Sequence, residues 1–173
     1  MEQKGLKNTM GLAVILGLLY CVFIYIENQY FYKIPTQFTS VKAIFFLLVM
    51  VGLLFIGLYR RKELGGFIGF REAFQAILIS IVIIEIIYSV FGFVYIKYID
   101  PTFIAKQKEA WGAFYKTTSL TKDQVDEIMV NFDEHEKVKL AFKTILGSLG
   151  IGIVLDSIAG LIIALAVKKE KKM

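Results

Sequence analysis

Residues 76–96 read AILISIVIIEIIYSVFGFVYI, twenty-one positions carrying a single charge, Glu85. At about 1.5 Å of rise per residue the run makes a helix of roughly 30 Å, the thickness of a bilayer's hydrocarbon core. Fourteen of its residues are Leu, Ile, Val or Phe. A carboxylate at the centre of a spanning helix costs about 2.5–3.5 kcal/mol, and each such apolar residue returns about 0.3–0.6. Insertion wins, and the run reads as a membrane span in spite of its glutamate.

Three comparable runs occupy 10–26, 43–59 and 146–167, and the chain is 57% hydrophobic against about 45–50% for soluble domains. The expected fold is all-α: a four-transmembrane-helix bundle forming one membrane domain, 1–173, with helices over about 10–26, 43–59, 74–96 and 143–167. Lys4 and Lys7 precede the first run as they would a signal peptide. Its apolar core, however, exceeds the usual ~7–15 residues, and no small-x-small cleavage site follows. A retained helix is expected. The lone cysteine, Cys21, leaves no disulfide and no dithiol pair, which excludes the membrane thiol oxidoreductases.

The net charge of +5 is unevenly placed. Lys4 and Lys7, then Arg60, Arg61, Lys62 and Arg71, then Lys168, Lys169, Lys171 and Lys172 flank the apolar runs. Short basic loops and tails stay on the cytoplasmic side. Both termini and the 60–71 connection are therefore expected there, where the basic residues can meet anionic lipid headgroups. This pattern argues for a lipid bilayer as partner and against nucleic acid.

In the first loop Tyr30, Phe31 and Tyr32 suit a membrane interface, and Pro35 should keep the first helix from continuing. Gly65-Gly66 marks a tight reversal. The polar stretch over about 99–140 is expected to form an extracytoplasmic amphipathic helical hairpin. Asp100 and Pro101 signal its first helix start, and Thr121 with Gln124 its second. Trp111 and Tyr115 share a face of the first helix, while Val125, Ile128, Met129 and Phe132 form the apolar stripe of the second. Trp111, Tyr115, Met129 and Phe132 constitute a candidate docking face. A short internal similarity, YKIPTQF at 32–38 and KYIDPTF at 97–103, follows the first and third spans.

Two acids stand out. Glu85 lies about 21 Å of helix from Arg71, and Asp156 about 18 Å from Lys168, so both fall near the bilayer midplane. Steps of four around Asp156 give Ser148, Gly152, Gly160 and Ala164, a stripe of small residues that lets a partner helix approach. Glu85 shares its face with Tyr88 and Ser89. Both acids are expected to point inward, toward each other, with Tyr88, Ser89, Ser148 and Ser157 as supporting polar groups. Two carboxylates in a low dielectric do not both ionise cheaply, so the pair is expected to share a proton. An acid pair of this kind serves either as glue between helices or as a proton- or cation-linked site.

Other chemistry is thinly represented. His135 stands alone, and the acidic run from Asp126 to Glu136 lacks the glycine and ligand spacing of a calcium loop. No metal, cofactor or nucleophile–base set is indicated, so the chain is not expected to be an enzyme. The order of features resembles a bacterial membrane-protein family known only as domain of unknown function 4199. The resemblance rests on the basic end of the second helix, GGFIGFREAF at 65–74, YIDPTF at 98–103, and a glycine-rich last helix ending in lysines. It implies an integral protein of a bacterial cytoplasmic (inner) membrane and supplies no active-site residues. The leading expectation is a non-enzymatic accessory or assembly protein that meets a membrane-protein partner through the hairpin. The alternative is a small proton- or cation-coupled transporter, acting as a homodimer, that uses Glu85 and Asp156.

Overall fold

The computed structural model describes residues 2–139 and 142–170, without the side chains of 2–6, 133–139 and 142–145. His135 and the end of the acidic run therefore lie outside the described side chains. Six α-helices follow one another: α1 (Glu2–Ile26), α2 (Pro35–Glu63), α3 (Phe70–Val94), α4 (Phe103–Lys116), α5 (Lys122–Lys139) and α6 (Phe142–Val167). Two π-helical turns, Glu27–Phe31 and Tyr95–Ile99, prolong α1 and α3. Four stretches are long and apolar enough to cross a membrane: Lys7–Phe31, Pro35–Glu63, Phe70–Ile99 and Leu146–Val167.

The spans extend beyond their apolar cores. α2 begins at Pro35 itself, because proline at a first helical position sacrifices no hydrogen bond and brings a suitable φ. Pro35 thus ends one helix by starting the next, eight residues before the apolar run at 43. At the other end of α2 the chain reverses through Gly65 and Gly66, at φ +78° and +90°, a backbone region where a Cβ is disfavoured. The Glu72 carboxylate then accepts from the Gly69 N–H at 3.4 Å as α3 starts.

α3 is the central element, packed on α1 along one side and α6 along the other, with α2 closing against all three. Helices in lipid gain little from apolar burial against one another and rely on close packing. Small residues supply it here: a Cβ on Gly17 would stand 2.9 Å from Ile87 Cδ1, one on Gly57 2.9 Å from Val167 Cγ2, and one on Gly160 2.9 Å from Ile81 Cδ1. Leu53, Ile77, Ile81 and Val167 fill the core between them. The outward faces are apolar, as with Ile151, Val154, Leu155, Ile158 and Ile162 on α6, which suits contact with hydrocarbon.

Both ends of the bundle are tied. At one end the α2–α3 turn and the chain beyond α6 form an antiparallel bridge, Ile68 N–H to Lys169 O at 2.9 Å and Lys169 N–H to Ile68 O at 3.0 Å. Arg61 donates to Val167 O at 3.1 Å, and Asn8 Nδ2 to Glu63 Oε1 at 2.7 Å. The starts of α1 and α3 and the ends of α2 and α6 therefore share the basic end. The α4–α5 hairpin lies at the other, anchored by a cluster of Phe38, Tyr95 and Phe103.

Candidate functional site

On α3, residues 77, 81, 84 and 85 share the buried face, and this periodicity turns Glu85 into the bundle, where it is 8% exposed. On α6 the small-residue stripe lies on α3: Gly160 against Ile81 and Ile77, and Ala164 wholly buried. Farther along the same stripe the Glu85 carboxyl lies against Gly152, one helical turn before Asp156, so the two acids come close together across the α3–α6 contact. Gly152 makes the room, since a Cβ there would stand 2.5 Å from Glu85 Oε2. A hydrogen bond between two carboxyl groups requires that one of them carry the proton. Two carboxyl groups placed this close in a low dielectric can share a single proton between them.

The serines named alongside the pair are placed differently. Ser157 donates to Ile153 O of its own helix, the usual way a hydroxyl is satisfied inside a span. Ser89 is half-buried and Ser148 exposed, and no hydrogen bond from either to Glu85 or Asp156 occurs among the described residues. Tyr88 turns toward α1 instead, stacking on Tyr20 with ring centroids 5.2 Å apart. Buried Ser80 returns its hydroxyl to Ala76 O at 2.9 Å. The carboxyl groups thus have chiefly each other.

Two contributors escaped the sequence reading. Tyr20 is buried, stacks on Tyr88 and lines a cavity with Glu27. Glu27 is only 4% exposed, although it is a charged residue just past the apolar run 10–26. The signal was available: Tyr20, Ile24 and Glu27 recur at i, i+4 and i+7, the buried stripe of α1 continued through the π-helical turn. Tyr88, one turn after Glu85 on α3, and Tyr20, stacked on it from α1, thus lead along the bundle toward Glu27, near the hairpin end.

There the two π-helical turns hold each other through Gln29 Nε2, which donates to the Tyr95 hydroxyl at 3.0 Å. The similar motifs that follow them bring Phe38 and Phe103 to the same cluster, 6.5 Å apart between ring centroids. The likeness stops at that point, since α2 spans the bilayer and α4 has only 14 residues.

The hairpin uses much of its apolar surface on itself. Met129 packs its sulfur against Gly112, Val125 is buried, and Phe132 is half-buried. Met129 therefore faces α4 rather than a partner. Trp111 and Tyr115, both half-buried, stack at 5.5 Å beside Phe114. Ahead of α4, Asp100 accepts from the Thr102 N–H, the Thr102 hydroxyl and Lys106 Nζ at 3.2, 2.6 and 2.8 Å, so it braces the turn before the helix rather than capping it directly. At α5 the Thr121 N–H donates to Gln124 Oε1 at 2.9 Å and the Gln124 N–H to Thr121 Oγ1 at 3.4 Å, a reciprocal capping box. No group of metal-ligating side chains gathers among the described residues.

Residues 5–169 match the family described as "Protein of unknown function (DUF4199)". The chain belongs to that family. The match covers every span and the hairpin, so the carboxyl pair and its surroundings fall within the DUF4199 region. No curated protein and no solved structure matches the chain.

Proposed function

We propose that this DUF4199 protein is a non-enzymatic, proton- or cation-linked transporter of a bacterial cytoplasmic membrane, and that Glu85 and Asp156 carry the proton. The observation behind this reading is that the Glu85 carboxyl of α3 lies against Gly152 of the adjoining α6, one helical turn before Asp156. Acidic side chains inside spanning helices are costly and commonly mark ion pathways. The basic end, bearing Arg60, Arg61, Lys62, Lys168 and Lys169, supports an orientation with both termini cytoplasmic and the hairpin outside. The test is proton flux in proteoliposomes under an imposed pH gradient. The parent protein should conduct, and Glu85→Gln and Asp156→Asn should each abolish the flux while keeping the fold. An inactive parent, or full flux in both variants, would remove the reading.

A second reading, an accessory protein that docks through the hairpin, draws on the Trp111–Phe114–Tyr115 stack and on exposed Leu120 and Val130. It requires Val130→Lys and Trp111→Ala to strip away co-purifying membrane proteins while leaving flux untouched.

A further inference from the structure

Beneath α4, between α1, α2 and α3, lies a cavity of about 370 Å³, within the range of small-ligand sites. Its walls combine Tyr20, Tyr88, Phe38 and Phe103 with the polar side chains of Glu27 and Asn28. Glu27 is 4% exposed and Asn28 8%, and neither has a hydrogen bond or ion pair among the described residues. Lys42 lines the same space and its charge reaches Glu27, yet the two make no ion pair. Lys42 is also exposed, so solvent screens its charge far more than that of the acid. No enclosed side-chain oxygen or nitrogen lacks a partner among the described residues, so the Glu27 carboxylate reaches the open space of the cavity, where a partly desolvated charge gains when an opposite charge arrives.

We propose that this cavity binds a small organic ammonium ion, its charge set on Glu27 and its carbon skeleton against the aromatic walls. The Glu27 carboxylate supplies the counter-charge, and the Asn28 side-chain carbonyl can accept a second N–H. Aromatic faces attract the cation and take up its hydrocarbon. Among the described residues Glu27 is the sole acidic side chain lining the cavity, too little charge for a bare divalent ion, whereas an ammonium needs one carboxylate and apolar walls. The proposal goes beyond the proton-linked reading and does not depend on it, since binding is read without flux.

The test measures binding of 2-phenylethylammonium, and of its neutral analogue 2-phenylethanol, to the full chain in detergent by calorimetry. The ammonium should bind and the alcohol bind at least about tenfold more weakly, as loss of a charged hydrogen-bonding partner implies. Glu27→Gln should erase that difference. A Cβ on Gly92, which lines the cavity, would meet nothing within 4 Å, so Gly92→Leu should fill the space and block both probes without straining the bundle. Glu85→Gln should leave binding unchanged. Equal affinity for ammonium and alcohol, undiminished binding in Gly92→Leu, or no binding of either probe would overturn the assignment.

Discussion

A Cβ at position 152 would stand 2.5 Å from Glu85 Oε2 and 3.2 Å from its Cδ, so the carboxyl occupies room that glycine alone leaves. The obstructed group is the far end of a flexible side chain, which moves cheaply. Gly152→Ala should therefore fold with nearly parental thermal stability and still lose the contact with Asp156. Infrared spectra should show it: a protonated-carboxyl band present in the parent should shift in Gly152→Ala and vanish in Glu85→Gln. An unchanged band in both would mean that the two acids are not paired. Gly160 behaves oppositely, because a Cβ there meets Ile81 Cδ1 at 2.9 Å and Ile77 Cγ2 at 3.2 Å inside packed core. Gly160→Leu overpacks that contact, at a cost of about 1–3 kcal/mol, and should lower the thermal midpoint and the folded yield. Removing the acids themselves should cost less, since hydrogen bonds between membrane helices average about 0.6 kcal/mol. Stability and flux are thus expected to separate: Gly160→Leu strikes the first, Glu85→Gln the second.

The helices differ in how openly the sequence announces them. Spans were legible from apolar length, and the inward turn of Glu85 followed from the stripe of small residues on α6 that it meets at Gly152. The eight polar-leaning residues from Pro35 that begin α2 were not, because hydropathy is silent about helix outside the hydrocarbon. The π-helical turns have no sequence signature at all: they arise where α1 and α3 are held to each other by Gln29 and Tyr95. In the hairpin the apolar stripe of α5 was visible, but a stripe does not say what it faces, and Met129 proves to face Gly112. The start of α4 offers a test at this scale. Lys106 and the Thr102 hydroxyl, both bonded to Asp100, hold its carboxyl below the usual carboxylate range. A carboxyl depressed in the fold contributes stability above its unfolded value, about 3.9, and loses it as pH falls through the folded value. Trp111 is the lone tryptophan and sits in α4, so its fluorescence reports the hairpin. Its signal should hold steady at neutral pH and change only in the acid range. Asp100→Ala should start from the loosened signal and lack that component of the titration. Superimposable titrations would show that Asp100 does not brace α4.

At the scale of the whole molecule, the hydrogen bonds place three segments at one end: Asn8 with Glu63, Ile68 with Lys169, and Arg61 with Val167. These segments carry Arg60, Arg61, Lys62, Lys168 and Lys169, while in the hairpin at the far end Asp100, Glu109, Asp123, Asp126 and Glu127 are nearly balanced by Lys106, Lys108, Lys116 and Lys122. The proposed orientation rests on that contrast, because short basic segments resist translocation. The Glu27 cavity then lies toward the hairpin end, while Leu53, Ile77 and Val167 pack the bundle toward the basic end. That asymmetry ties orientation to mechanism, and the solitary cysteine makes it measurable. In a Cys21→Ser background, a cysteine placed at exposed Ser119 should react with a membrane-impermeant maleimide in intact cells, and one at exposed Lys62 only after permeabilisation. A cysteine at Asn28 should react slowly from outside, and more slowly still when Gly92→Leu fills the cavity before it. Labelling of Lys62Cys in intact cells would reverse the orientation and put the Glu27 cavity on the cytoplasmic side. Equal labelling at positions 62 and 119 would deny that the chain lies across a membrane with these ends apart.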